Sequence, residues 1–207
     1  AAMSVIEFIR PLHDKLTAIR RDIHAHPELA FAEHRTAEIV ARHLESLGVE
    51  THRGIGVTGV VGVVRGGRSP RAIGLRADMD ALAITEATGL PHASTNPGVM
   101  HACGHDVHST CLLGAAKILQ ETKEDWEGTV KIIFQPGEEK NPGGASLLIK
   151  EGVLENPAPQ KIFALHVHPT LPVGQFSFRA GMAMASADEI YITIKAKGGH
   201  AAAPQHT

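Results

Sequence analysis

The strongest constraint on how this chain folds is a set of short, almost unbroken apolar runs: TGVVGVV at 58–64, AIGLR at 72–76, VKIIF at 130–134 and KIFAL at 161–165. They are too short for buried helices and rich in the β-branched residues that strands favour. A strand with one wet face alternates polar and apolar residues, whereas these runs read as strands covered on both faces. Helical stretches separate them. Ala37, Val40, Leu44 and Leu47 share one helical face ahead of Gly48, a natural stop. A helix is predicted over Val107–Gln120, with Leu112, Ala115, Ala116 and Leu119 on one side and Asp106 as its cap. Further helices are predicted over Pro11–His24 and Ala145–Lys150. Strands and helices in alternation specify an α/β fold, a mostly parallel sheet between two helical layers.

The pattern changes near residue 180. RAGMAMASAD is small and flexible in character, and Glu189–Lys197 (EIYITIKAK) then alternates with period two, as a strand with one wet face does. A boundary in the 180–187 region divides the chain into a first domain at 1–182 and the beginning of a second at 183–207, which is too short to close a core.

Composition narrows the class. The chain is 43% apolar with a net charge of −2, and its basic residues are scattered, so neither nucleic acid nor an anionic membrane is an expected partner. No apolar run approaches a membrane span or a signal-peptide core. Two cysteines make no disulfide framework, and a cytoplasmic setting is expected. Cys111 reads as a small core residue without chemistry.

The polar residues that follow the apolar runs carry the chemistry. AIGLR leads into Ala77-Asp78-Met79-Asp80, VKIIF into Gln135-Pro136-Gly137-Glu138-Glu139, and KIFAL into His166-Val167-His168. Open α/β sheets bind ligands at the carboxyl ends of their strands, where these acids and imidazoles would meet. The segment VMHACGHDVHST at 99–110 adds His101, Cys103, His105, Asp106 and His108 just before a helix. Thiolate, imidazole and carboxylate together are a transition-metal donor set. Cys103 and His105 can reach one centre or two adjacent ones. Of the adjacent pair Glu138–Glu139, one can ligate while its neighbour serves as a base toward water activated by a cation. Each piece alone has an ordinary explanation: a solvated helix start for the Glu pair, a turn for Asp78 and Asp80, a structural histidine at 166. Their convergence on one sheet edge is what favours a metal site.

The strings RADMDAL, GVMHACGHD, QPGEE, LHVHP and KGGHAAAP, with IRRDIHAHPELAFAE near the start, closely resemble the aminoacylase/hippurate-hydrolase branch of the dinuclear metallopeptidases, which includes the auxin-conjugate hydrolases. The resemblance implies a zinc-aminopeptidase-like three-layer catalytic domain followed by the start of an α+β satellite domain used for dimerisation. It implies two divalent ions (zinc, manganese, cobalt or nickel) held by Cys103, His105, Glu139 and His166, with Glu138 as general acid/base. Asp80 would support a ligand, and His200 would help bind substrate and oxyanion. His101 and His108 are expected to hydrogen-bond around the ligands. The implied reaction is hydrolysis of the amide of N-acyl amino acids or small peptides, in a homodimer. Two positions depart from the family pattern: Ala83 and Gln205 stand where Pro and His are usual. Family members continue beyond this length and supply a last histidine ligand, so the chain is expected to be an N-terminal fragment, incomplete as a catalyst. Two other classes stay open: a Cys103-nucleophile hydrolase, and a fragment that binds metal without turnover.

Overall fold

The computed structural model describes residues 5–186, 188 and 190–206. The chain falls into two units, Ala1–His168 and Pro169–Thr207.

The first unit opens with helix α1 (Val5–Ile9), a 3-10 turn at Arg10–Leu12 that holds Pro11, α2 (His13–Ala25) and α3 (His34–Ser46). Strands β1 (Glu50–Ile55), β2 (Gly59–Arg65) and β3 (Ala72–Asp78) follow, then α4 (His105–Glu121), β4 (Thr129–Gln135), α5 (Gly144–Lys150) and β5 (Lys161–Ala164). The sheet order is β1-β2-β4-β3-β5. β2 pairs antiparallel with β1 and β4, while β3 pairs parallel with β4 and β5, so four of the five strands point the same way.

The unbroken apolar runs follow from burial on both faces. On β4, Val130, Ile132 and Phe134 enter the main core with Val40, Leu44, Leu112 and Ala116 of α3 and α4. Ile133, one residue out of phase, packs with Val61, Leu148 and Val153 on the α5 side. Each fully buried aliphatic side chain of this kind contributes roughly 1.5–3 kcal/mol. Gly48 ends α3 with a left-handed φ of 72°, donating to the Glu45 carbonyl while Val49 donates to that of Leu44. This paired closure needs a residue without a Cβ penalty at that φ.

Three expectations are corrected, and one strand is added. β1 is a strand, although ETHRGI is polar, because it lies at the sheet edge with its side chains largely exposed. β5 is not buried: all four of its residues are exposed, since it forms the opposite edge and pairs only with β3. Asp106 does not cap α4; the N-cap is Gly104 at φ 87°, and Asp106 turns inward to meet Arg20 Nε at 2.7 Å and His24 Nδ1 at 2.8 Å. Cys111 is exposed, because Leu112, Leu113 and Ala116 take the core positions of α4.

In the second unit the predicted strand at 189–197 does not form over its described residues. Ile190, Tyr191, Ile192 and Ile194 are exposed, and the unit supplies no neighbouring strand among its described residues. Pairing, not alternation, makes a strand. Ala187 and Glu189 lie outside the described residues. Among the described residues no helix is long and apolar enough to cross a membrane.

Candidate metal centre

The order β4-β3-β5 places three parallel strands side by side, so their carboxyl ends open on one edge. Asp78 is the last residue of β3 and pairs with Gln135, the last of β4. The turn after β4 is fixed from below. Gly137 takes φ 55°, and the ring of Phe31 occupies the space a Cβ would need. Its N–H donates to Oε1 of the buried Glu33 at 2.7 Å, and Thr58 Oγ1 donates to Oε2 at 2.5 Å. Glu138 and Glu139 follow directly. α4 packs against β3 and starts at His105, which brings Cys103 and His105 to the same edge.

The donors converge. Ligand atoms of Cys103, His105 and His166 lie within 4.8 Å of one another, and so do those of His105, Glu138 and Glu139. Cys103 Sγ is 3.3 Å from His166 Nε2. Two such donors on one tetrahedral zinc, at about 2.3 and 2.0–2.1 Å from the ion, stand roughly 3.5 Å apart. The His166 ring Nδ1 donates to the Val167 carbonyl at 2.7 Å, leaving Nε2 to face the thiol. His105 Nε2 lies 3.7 Å from Glu139 and 3.9 Å from Glu138, while its Nδ1 lies 3.3 Å from Asp80 Oδ1. Asp80 Oδ2 accepts the Glu139 N–H at 2.8 Å. Asp80 therefore touches two of the expected ligands at once. Glu139 is the deeper of the two glutamates, its side chain 22% exposed against 41% for Glu138.

His105 Nδ1 and Asp80 Oδ1 face each other at 3.3 Å, whereas His105 Nε2 and Glu139 Oε1 are buried, 3.7 Å apart, with no hydrogen bond. Buried polar atoms normally have partners. A cation between these lone pairs would supply one, and the residues present fit a divalent metal in both donor type and spacing.

The electrostatics fit as well. Burial and the Glu139 and Glu138 carboxylates push the Cys103 thiol up to about 12. Burial and the Glu139 charge raise the pKa of Glu138 from its ordinary value. Burial would lift Asp78, but its bond to His108 and the nearby His105 and Arg76 bring it to about 2. Burial opposes charge on His105 too, and the carboxylates of Asp80, Asp78 and Glu139 overcome it and raise its pKa. An acid-ringed thiol with a raised pKa is the setting in which a bound dication removes the proton outright.

Six of the seven expected site residues, Cys103, His105, Glu139, His166, Glu138 and Asp80, thus share one edge of the first unit. His200 belongs to the second unit, where it is exposed and its Nδ1 accepts the Ala202 N–H at 3.1 Å. His101 is buried beside His24, with ring centroids 6.3 Å apart, and burial holds its pKa down to about 4. Glu33 was not legible as a site residue: nothing in PELAFAE says that one glutamate is buried against a backbone N–H 104 residues away. Asp78 was grouped with the acids that follow the buried strands, but its bond to His108 at 2.6 Å was not anticipated.

Residues 74–206 match the family described as peptidase family M20/M25/M40. The chain is 50% identical over 194 residues to an IAA-amino acid hydrolase of Arabidopsis thaliana, covering 94% of this chain and 43% of that protein. It is 43% identical over 201 residues to thermostable carboxypeptidase 1 of Saccharolobus solfataricus, covering 96% and 51%. Its fold is similar to that of a Bacillus subtilis protein described as a dinuclear metal-binding peptidase of family M20, with a TM-score of 0.75 and 42% identity over 80% of this chain and 46% of that one. The chain spans about half the length of the relatives it matches. With the match running through both the strand-end acids and the Cys/His segment, the chain belongs to peptidase family M20/M25/M40.

Proposed function

We propose that the protein is a metal-dependent amidohydrolase that cleaves N-acyl amino acids of the hippurate or N-acetyl type, with Cys103, His105, Glu139 and His166 as metal ligands. The observation that carries this reading is the convergence of those four side chains and Glu138 at one sheet edge, with buried lone pairs left over. The names of the relatives, an IAA-amino acid hydrolase and a carboxypeptidase, support this reading.

Two divalent ions, when bound, would supply Lewis-acid polarisation of the carbonyl and an acidified water. The donor set of one thiolate, imidazoles and a carboxylate suits zinc, with manganese, cobalt and nickel as the other occupants. Glu138, more open than its neighbour and with a raised pKa, accepts the proton of the attacking water and returns it to the leaving amine as the C–N bond breaks. Water's oxygen ends in the released carboxylate. Asp80 orients His105 through Nδ1 and holds the Glu139 backbone. His200 is assigned to the substrate and its oxyanion, in a satellite domain beginning at 183 through which a cytoplasmic homodimer forms.

The cysteine-nucleophile alternative is disfavoured by the thiol itself. A nucleophile needs the thiolate, and Cys103 is pushed away from it, up to about 12.

The test is Glu138→Gln in the full-length protein. Metal content should stay at the wild-type level while kcat on hippurate and N-acetyl amino acids falls by at least the ~10²–10⁴ that general acid–base catalysis supplies. Near-normal kcat would remove Glu138 from the mechanism, and absence of metal in the wild type would remove the ligand assignment.

A further inference from the structure

We propose that Asp78 and His108 form a latch that positions His166 for metal, an inference that rests on the ligand reading above. The difficulty His166 presents is one of support. β5 contributes four residues, all exposed, and its ladder to β3 ends at the pair Arg76 and Ala164. His166 lies two residues past that last pair, on the edge of the sheet. Short, exposed edge segments are where local opening is easiest. A ligand placed there needs another anchor.

The anchor is on α4. The Val167 N–H donates to His108 Nε2 at 3.0 Å. A ring nitrogen that accepts a backbone N–H carries a lone pair, so the His108 proton is on Nδ1. That nitrogen donates to Asp78 Oδ1 at 2.6 Å. The other Asp78 oxygen accepts Arg76 Nη1 at 2.8 Å. Asp78 and His108 are both buried. The carboxylate therefore fixes the tautomer and the angle of the ring, and the ring fixes the Val167 peptide.

The same peptide then fixes the ligand. The Val167 carbonyl accepts from His166 Nδ1 at 2.7 Å, which turns Nε2 toward Cys103. Arg76, Asp78, His108, Val167 and His166 form one continuous chain of polar contacts. The two histidine rings pack edge-on with centroids 4.5 Å apart. Gly104 completes the seat, because a Cβ there would stand 2.5 Å from Val167 Cγ2. The latch also explains why His108 is not itself a ligand, even though donor atoms of Asp78, His105 and His108 lie within 4.8 Å of one another. Both of its ring nitrogens are already engaged.

The decisive comparison is His108→Gln against His108→Met in the same chain. The two side chains have nearly the same length and volume, but Gln offers the Val167 N–H a strong acceptor and Asp78 a donor, whereas the Met sulfur is only a weak acceptor and no donor. Zinc affinity is read by competition with a chromophoric chelator, and urea unfolding of the metal-free proteins shows that both variants fold. His108→Gln should bind zinc within a few-fold of wild type, and His108→Met should bind it ~10–100-fold more weakly. Asp78→Asn, which keeps the acceptor oxygen and loses the charge, should fall between them. Equal affinities in the Gln and Met variants would overturn the latch while leaving the ligands in place. A wild-type chain that takes up no zinc would overturn the ligand reading, and the latch with it.

Discussion

Glu33→Ala is the perturbation that best separates the support of the centre from its chemistry. Glu33 is fully buried, and its two carboxylate oxygens accept the Gly137 N–H at 2.7 Å and the Thr58 hydroxyl at 2.5 Å. A hydrogen bond to a charged acceptor contributes roughly 1.5–3 kcal/mol, so losing both removes about 3–6 kcal/mol and leaves the Gly137 N–H buried and unpaired. Part of that is offset, because removing the side chain also removes the unfavourable burial of a carboxylate. The net destabilisation should be about 2–4 kcal/mol. Glu33→Gln should cost only about 1 kcal/mol, its carbonyl accepting from Gly137 and its amide donating to the Thr58 oxygen.

The assay is urea unfolding of the metal-free chain, followed by the fluorescence of Trp126, the single tryptophan, which packs against the main core. The midpoint should fall with the slope unchanged. Because Glu138 and Glu139 come directly after Gly137, the Ala variant should also bind zinc more weakly, and the Gln variant should not. An Ala variant within ~0.5 kcal/mol of wild type, the range of an ordinary surface substitution, would refute the reasoning.

Two further outcomes follow from the same geometry. Gly104→Ala places a Cβ at φ 87° and against Val167 Cγ2, so it should lower stability by at least the ~1–2 kcal/mol of a left-handed residue and weaken zinc binding through the displaced His166 loop; unchanged chelator competition would contradict this. His43 has its pKa lowered, first by burial on α3 and then by the charge of Lys15. The unfolded chain therefore takes up this proton before the folded one, and stability drops as pH falls through 6.5 toward the lower folded value. His43→Gln should lose less stability than wild type between about pH 7.5 and 5.5, and parallel losses in urea titrations would exclude the effect.

What the sequence made legible divides along physical lines. β2, β3 and β4 were readable because burial on two faces leaves no room for polar alternation, and α3 because Val40 and Leu44 must share a stripe. β1 was not, because its pairing with β2 uses backbone groups while its side chains, Thr51 and Arg53 among them, meet solvent. The inward turn of Asp106 was invisible for a different reason: its partners Arg20 and His24 lie more than 80 residues earlier. The donor types at 103, 105, 139 and 166, proposed above as ligands, could be read from the chain, since metal chemistry restricts which residues can serve. Of their supports, the resemblance implied Asp80 and, without a partner, His108, while Glu33 was not anticipated. Glu33 and His108 each act on a backbone N–H, of Gly137 and Val167, and every non-proline residue carries one.

That division bears on how such a centre is assembled. The crossovers, through α4 on one face and then α5 on the other, each return the chain to the same end of the sheet, so each new parallel strand finishes at the same edge. The sheet thereby sets the height at which Asp80, Glu139 and His166 emerge, and it does so without reference to what those residues are. Height alone does not give a donor its angle. Beyond the last rung of each ladder, the chain must be turned by something else: Glu33 under the turn after β4, Asp80 beside His105, and His108 beneath the loop after β5. All three of these groups are buried. A buried acid or imidazole with a defined partner keeps its orientation better than an exposed one, because the alternative is an unpaired polar group in a poorly solvated place. The proposed base and ligands can then stay partly open, as Glu138 and His166 are, while the precision of the centre resides one layer deeper.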